Sequence, residues 1–295
     1  MRNMDLAQLR VRLSRTENLP VLPRVAELVL KLVNSDQATR KQLEEILCAD
    51  PAVAAKLLRV ANTPFYRRGE PATTIERAIS VLGITAIKSL VLGIAYCQLD
   101  DQSPRSREFN RAGFWQHSVA TGIASQLVAS KCLPERAEEL YLAGLLHDVG
   151  LLVLDRFLPV ELDAAIGRAK RSKLDLLDVE ASMFGWDHAE VGALLVQSWG
   201  LDSMLRDAVF YHRRPEASDR HFVTTAIVGL GNLLAHQSGF RGGCTAEPLE
   251  PNSEVLDAIG LEAEELDPIL HQLVQEMTLT VHAFAALKTP AEAVA

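Results

Sequence analysis

The strongest constraint on what this chain can fold into is a repeated pairing of helix-start signals with apolar residues at helical spacing. Thr39 with Gln42 three residues on reads as a capping box, a pairing that satisfies two backbone N–H groups the first helical turn leaves open. Leu43, Ile46 and Leu47 follow on one face. Asp50-Pro51 supplies an N-cap and a proline at the first helical position, ahead of Val53, Leu57 and Leu58. Thr73 with Glu76 reads as another capping box before Ile75, Ala78, Ile79 and Leu82, and Gly83 ends that helix. Upstream, Leu22, Val25, Leu28, Val29, Leu32 and Val33 keep the same period. Asn62-Thr63-Pro64 with Gly69 and Pro71 marks a loop, and a longer apolar helix is expected over 85–96.

The pattern continues through the second half. Helices are expected at Phe114–Lys131, from Leu133-Pro134 to His147-Asp148-Val149-Gly150, and at Leu151–Arg171, Asp175–Phe184, His188–Trp199, Ser203–His212 and Phe222–His236. Residues 237–252 read as a Gly/Pro-rich loop. A closing helix carries Leu266, Ile269, Leu270, Leu273, Val274 and Met277 as an apolar stripe. No alternating strand pattern, internal repeat or low-complexity tract interrupts the series. The expected class is all-α. The polar run LDDQSPRSREF at 99–109 is the best boundary. It separates a smaller N-terminal helical subdomain (1–105) from a larger helical domain (106–290), with a frayed tail at 291–295.

Composition enters as exclusion. The formal net charge is -8, so the surface as a whole does not attract a phosphate backbone. Arg10, Arg12 and Arg15, or Arg67 and Arg68, are the densest basic groups, and neither carries interleaved aromatics; no nucleic-acid partner is expected. Cys48, Cys97, Cys132 and Cys244 form no CxxC pair and read as reduced, mostly buried thiols. The N-terminus lacks the apolar run of a signal peptide, and no segment is long and apolar enough to span a bilayer, so a cytoplasmic protein without a membrane partner is expected.

Four of the eight histidines stand on core faces or helix starts: His117, His147, His188 and His212. A lone inward histidine is usually a hydrogen-bonded core residue; several together, beside a His-Asp dipeptide, suggest a metal site. His147-Asp148 is the informative element. Neighbours on a helix point about 100° apart, so they converge on one ion only at a helix end, and Gly150 is expected to supply that end. Imidazole with carboxylate suits Mn, Fe, Zn or a similar divalent metal. His188, after Asp187 and before Glu190, sits at a helix N-terminus, where a phosphate is also favoured.

Taken in order, His117, His147-Asp148, His188 and His212 resemble the HD superfamily of metal-dependent phosphohydrolases. From about residue 15 to 285 the chain is similar to the HDOD family, the HD-related output domain group. LPVLPRVAELVLKLV, ILCADPAVAAKLLRVANTPFY and AISVLGITAIKSLVLG carry the N-terminal likeness, and FWQHSVATGIAS, LAGLLHDVGLLVL and DHAEVGALLVQSWGL carry the HD-like one. The resemblance implies an HD-like helical bundle with a pocket at His117, His147 and Asp148. The HD pattern then closes with an aspartate, where IVGLGNLLAH here places Asn232. The expected histidine pair near the helix end reads His212-Arg213, and no GYP motif is present. The resemblance therefore implies a degenerate metal pocket: His117, His147, Asp148 and a weaker Asn232, with His188 and His212 near a second metal or a phosphate. Any divalent metal would be held weakly. It also implies a non-catalytic signal-transduction output or adaptor protein. With no room for a receiver or cyclase domain, it would meet its signalling partner in trans. The alternatives are a working metal-dependent phosphohydrolase on a nucleotide or phosphomonoester, and a pocket that binds a ligand without turnover. The oligomeric state is left open.

Overall fold

The computed structural model describes residues 39–62, 69–83, 105–242 and 253–285, together with Val25, Leu28, Val29, Leu32, Tyr66, Ile87 and Val91. Among the described residues there are helices and short 3-10 turns and no strand, an all-α fold. In chain order the α-helices are α1 (Arg40–Cys48), α2 (Pro51–Ala61), α3 (Arg111–Cys132), α4 (Ala137–Leu146), α5 (Val149–Phe157) and α6 (Pro159–Ser172), then α7 (Leu176–Phe184), α8 (His188–Ser198), α9 (Ser203–Tyr211), α10 (Phe222–Gln237), α11 (Ser253–Ile259) and α12 (Leu266–Ala285). A further helical stretch covers 75–83. The chain divides into two compact units. One holds the described residues from 105 to Leu273, and the other holds those from Val25 to Val91 and those from Val274 onward.

In the N-terminal unit the expected caps are visible. The Thr39 side chain accepts from the Gln42 N–H while the Gln42 side chain accepts from the Thr39 N–H, and Asp50 Oδ1 accepts from the Val53 N–H at 3.1 Å. One cap differs: Thr74, not Thr73, starts the 75–83 helix, with its hydroxyl accepting from the Arg77 N–H. Asn62 staples the loop between them. Its amide donates to the carbonyls of Leu58 (2.9 Å) and Ala72 (2.8 Å), and its Oδ1 accepts from the Ala72 N–H at 2.7 Å. The core is Leu43, Leu47, Val53, Leu57, Ile75 and Ile79 with their neighbours, and Val25, Val29, Ile87 and Val91 join it; Leu58 is only half-buried. The expected contributions of Leu22 and Val33, the rest of the 85–96 helix and the tail lie outside the described residues.

In the larger unit α3 is the central element. Its buried positions include Ala120, Thr121, Gly122, Ala124 and Ser125, small residues that let two helices close on it. A Cβ at Gly144 of α4 would stand 2.7 Å from the Thr121 carbonyl, and one at Gly231 of α10 would stand 2.9 Å from the Ser125 nitrogen. Several boundaries differ from the sequence expectation. The single helix expected over Leu151–Arg171 breaks at Leu158, whose non-helical backbone (φ −138°, ψ 48°) precedes Pro159 at the first position of α6. Gly150 does not end a helix; it is the second residue of α5. Helix α11 falls just after the expected loop. Val274, placed on the buried stripe of the last helix, is exposed. Of the cysteines, Cys48 is exposed and Cys132 half-buried, against the expected burial; Cys97 and Cys244 lie outside the described residues. Among the described residues no helix is long and apolar enough to cross a membrane.

Candidate metal centre

His147 and Asp148 are brought together by the turn between α4 and α5. His147 is the C-cap residue of α4 and Asp148 the N-cap residue of α5. Leaving the helix there re-aims the two side chains onto one point, an arrangement adjacent helical residues cannot reach. The turn depends on Gly150. A Cβ there would enter the van der Waals envelope of the His188 carbonyl oxygen and stand 2.7 Å from the Gly192 nitrogen. Its absence lets α5 lie directly against α8 and puts Asp148 beside His188.

The site is organised around the Asp148 carboxylate, which is buried with His117, His147, His188 and His212. Its Oδ2 faces His147 Nε2 at 3.2 Å and His117 Nε2 at 3.7 Å. Its Oδ1 faces His188 Nε2 at 3.3 Å and His212 Nε2 at 3.6 Å. The result is two three-residue groups sharing one aspartate, His117–His147–Asp148 and Asp148–His188–His212, each with ligand atoms close enough together to hold one ion.

The outer ring nitrogens settle the orientation. His117 Nδ1 donates to the Phe240 carbonyl at 2.7 Å, His147 Nδ1 to the Gly144 carbonyl at 2.7 Å, and His212 Nδ1 to the Val209 carbonyl at 2.9 Å. A carbonyl only accepts, so each Nδ1 carries the proton, and in the neutral ring each Nε2 turns a lone pair inward. His117 Nε2 and His147 Nε2 consequently meet lone pair to lone pair at 3.2 Å. Two buried acceptors at that distance repel each other unless a cation lies between them. Burial works against a proton there, since desolvation and the facing His147 ring drive the His117 imidazole down to about 3. His212 is also held well below its usual value, by burial and by His147. Burial pushes Asp148 up, but the surrounding imidazoles outweigh it and hold the carboxyl well below the usual range. The donor set, tautomers and charge therefore fit a divalent cation that tolerates imidazole, such as Zn, Fe, Co or Mn.

His188 differs from the other three. Its Nδ1 faces Glu180 Oε2 at 2.7 Å, and its backbone N–H donates to the same oxygen at 2.8 Å. Burial pushes the ring down, but the two carboxylates raise it well above the usual imidazole range. Desolvation in turn raises Glu180, which is fully buried.

Asn232 lies on α10 and is 3% exposed, with Oδ1 buried and without a hydrogen-bond partner. It stands one turn before His236, whose ring packs against His117 at 4.7 Å between centroids. Three residues before it, a Cβ at Gly229 would press on the His212 carbonyl oxygen. Helical spacing thus puts Asn232 on the side of α10 that carries both contacts. Arg213 is ion-paired with Asp175, the N-cap residue of α7. Two participants were not foreseen. His236, driven by burial to about 4, marks only a helix end in the sequence. The stretch LLDVEASMF carries two acids, Asp178 and Glu180, and only the structure shows that Glu180 is the buried one.

Comparison with known proteins follows the same outline. The family model described as the HDOD domain matches residues 19–215. A curated but uncharacterised protein of Treponema pallidum (strain Nichols) is 22% identical over 224 residues, which is 74% of this chain and 42% of that protein. A solved structure of a candidate signal transduction protein from Marinobacter aquaeolei VT8 matches with a TM-score of 0.79 and 24% identity, over 94% of this chain and 62% of that one. A candidate phosphohydrolase from Shewanella amazonensis SB2B matches with a TM-score of 0.69 and 26% identity, over 90% of this chain and 96% of that one. The chain thus spans well under two thirds of the Treponema protein and slightly less than two thirds of the Marinobacter one.

Proposed function

The chain belongs to the HDOD domain family, and on that premise we propose that it is a non-catalytic signal-transduction output protein whose Asp148-centred pocket senses a divalent metal or a ligand. The observation that carries this reading is Asn232, a neutral, buried amide with an unpartnered oxygen at the position where the HD pattern has an aspartate. Catalysis by such a pocket requires enough negative charge to hold cations while a phosphoester reacts. A pocket with four imidazoles and one carboxylate still binds, but with less hold on the ion. Occupancy then shifts the packing of α3, α4, α5, α8, α9 and α10, which supply the site, and a partner protein in trans reads that shift. The N-terminal helical subdomain contributes to the partner surface.

His117, His147 and Asp148 would hold one cation, and Asp148, His188 and His212 a second. A cation bound there supplies Lewis-acid charge to a nearby phosphoryl group or ligand oxygen. The chain's own residues orient and desolvate: the Phe240, Gly144 and Val209 carbonyls fix three rings, and Glu180 fixes the fourth.

The second reading is a working metal-dependent phosphohydrolase. The two intact His/Asp groups favour it, as does the likeness to the Shewanella candidate phosphohydrolase. One assay separates the readings. The purified chain is incubated with Mn2+, Fe2+ or Co2+ and a panel of phosphomonoesters, nucleotides and phosphodiesters. The signalling reading predicts no turnover above an Asp148→Ala control. Metal-dependent turnover that Asp148→Ala abolishes would reject it and establish the enzyme.

A further inference from the structure

We infer that Glu180 is the positioning residue of the Asp148–His188–His212 group, fixing the His188 ring from behind so that Nε2 is presented to a metal. The inference rests on the reading of the Asp148 pocket as a metal centre. Glu180 lies on α7 and His188 opens α8, with the Gly185–Asp187 turn between them. One carboxylate oxygen accepts from both the backbone N–H and Nδ1 of His188, at 2.8 and 2.7 Å. That pair of contacts ties the ring to its own main chain and leaves the imidazole one orientation. The backbone N–H is one of the four that a helix start leaves open; Asp187 answers the one on Glu190, and Glu180 answers the one on His188.

Two further observations separate this from simple corner-locking. First, the three other rings lean on neutral carbonyls, whereas His188 leans on an acid. A carboxylate behind a ligating imidazole gives a stronger hydrogen bond and a more electron-rich Nε2. Second, the acid is costly where it stands. Glu180 is 0% exposed and its Oε1 has no hydrogen-bond partner. An apolar side chain would fill the same space without desolvating a carboxyl. The position instead places negative charge directly behind His188, whose Nε2 faces Asp148. The cation favoured is one that accepts nitrogen ligands, Co2+ or Zn2+ rather than Mg2+ or Ca2+.

The test uses the full chain and Co2+ alone, with affinity read by calorimetry and the coordination sphere by the visible absorption of bound cobalt. Glu180→Gln keeps the size and an accepting oxygen but removes the charge; Glu180→Leu removes both. Urea unfolding of each metal-free variant runs alongside. Glu180→Leu is expected to lower Co2+ affinity by about 10–100-fold, the usual effect of losing an outer-sphere partner, with a changed absorption band; Glu180→Gln should fall between it and the unsubstituted chain. Should Glu180→Leu not fold, the loss of affinity in Glu180→Gln decides the matter. Variants that lose stability but bind Co2+ with unchanged affinity and absorption would overturn the inference and leave Glu180 as a corner lock. No Co2+ uptake by the unsubstituted chain would instead remove the metal reading itself, and this inference with it.

Discussion

At the scale of single residues, the site is a set of imidazoles whose outer nitrogens are already engaged. His147-Asp148 was legible in the sequence because that dipeptide is informative beside other inward histidines. Asn232 came into view only through the resemblance, as the residue standing where the HD pattern has an aspartate. His236 and Glu180 were not legible, because nothing in their local sequence distinguishes them from a helix end and an ordinary acid; only the packing of α10 on α3 and of α7 on α8 gives them a role. Asn232→Asp restores a negative charge; two unit charges about 5 Å apart interact by about 3 kcal/mol at an effective dielectric near 20. Even after desolvation losses, Mn2+ or Co2+ affinity measured by calorimetry should rise at least about tenfold. Unchanged or weaker binding would show that Asn232 does not face the ion. Burial holds His117 at about 3 and His236 at about 4 in the folded protein, against about 6.5 in an unfolded chain. Below about pH 6.5 the unfolded chain takes up protons that the folded one refuses, so stability present above that pH is lost as pH falls toward those values. His188 runs the other way: its contribution is present in acid and lost as pH rises through its raised value. The urea midpoint of metal-free protein should therefore drop between pH 7 and 4. His117→Gln should flatten that drop, and an equally steep drop in the variant would contradict the assignment.

At the scale of elements, caps and close contacts decide where helices begin, end and meet. Thr39, Asp50, Asp175 and Asp187 each bond a first-turn N–H as their sequence context implies. Two helix boundaries depart from the sequence pattern for one reason. The apolar run from Leu151 to Arg171 keeps its period through Leu158-Pro159, so periodicity alone joined α5 to α6, although proline at the first position of a helix is a start signal. Gly150 misled for a related reason: glycine is common after a helix, but here it serves a backbone-to-backbone approach. Gly150→Ala should force α5 away from α8, costing about 1–3 kcal/mol in urea unfolding as an overpacked core does, and should weaken Co2+ binding. Gly167→Ala in α6 is the control. Only the end of the Arg171 side chain lies near its added methyl, at 3.3 Å, so the helix should gain stability, up to about 1 kcal/mol. Equal effects at the two positions would refute the close-approach argument.

At the scale of the whole molecule, the all-α class and the helical series could be read from patterning, because each apolar stripe comes with its own start signal. What patterning could not supply is convergence. The site draws one histidine from α3, the His147-Asp148 turn between α4 and α5, and further histidines from α8, the end of α9 and α10, and no local rule says that these helices meet. The family resemblance supplied that expectation; in the structure His117, His147, His188 and His212 surround the Asp148 carboxylate. The most direct test is anomalous diffraction at the cobalt edge from crystals of the full chain grown with Co2+. The account predicts anomalous density within coordination distance of Asp148, on the His117–His147 side, the His188–His212 side or both. Well-ordered density for all five side chains with no anomalous peak among them would contradict it.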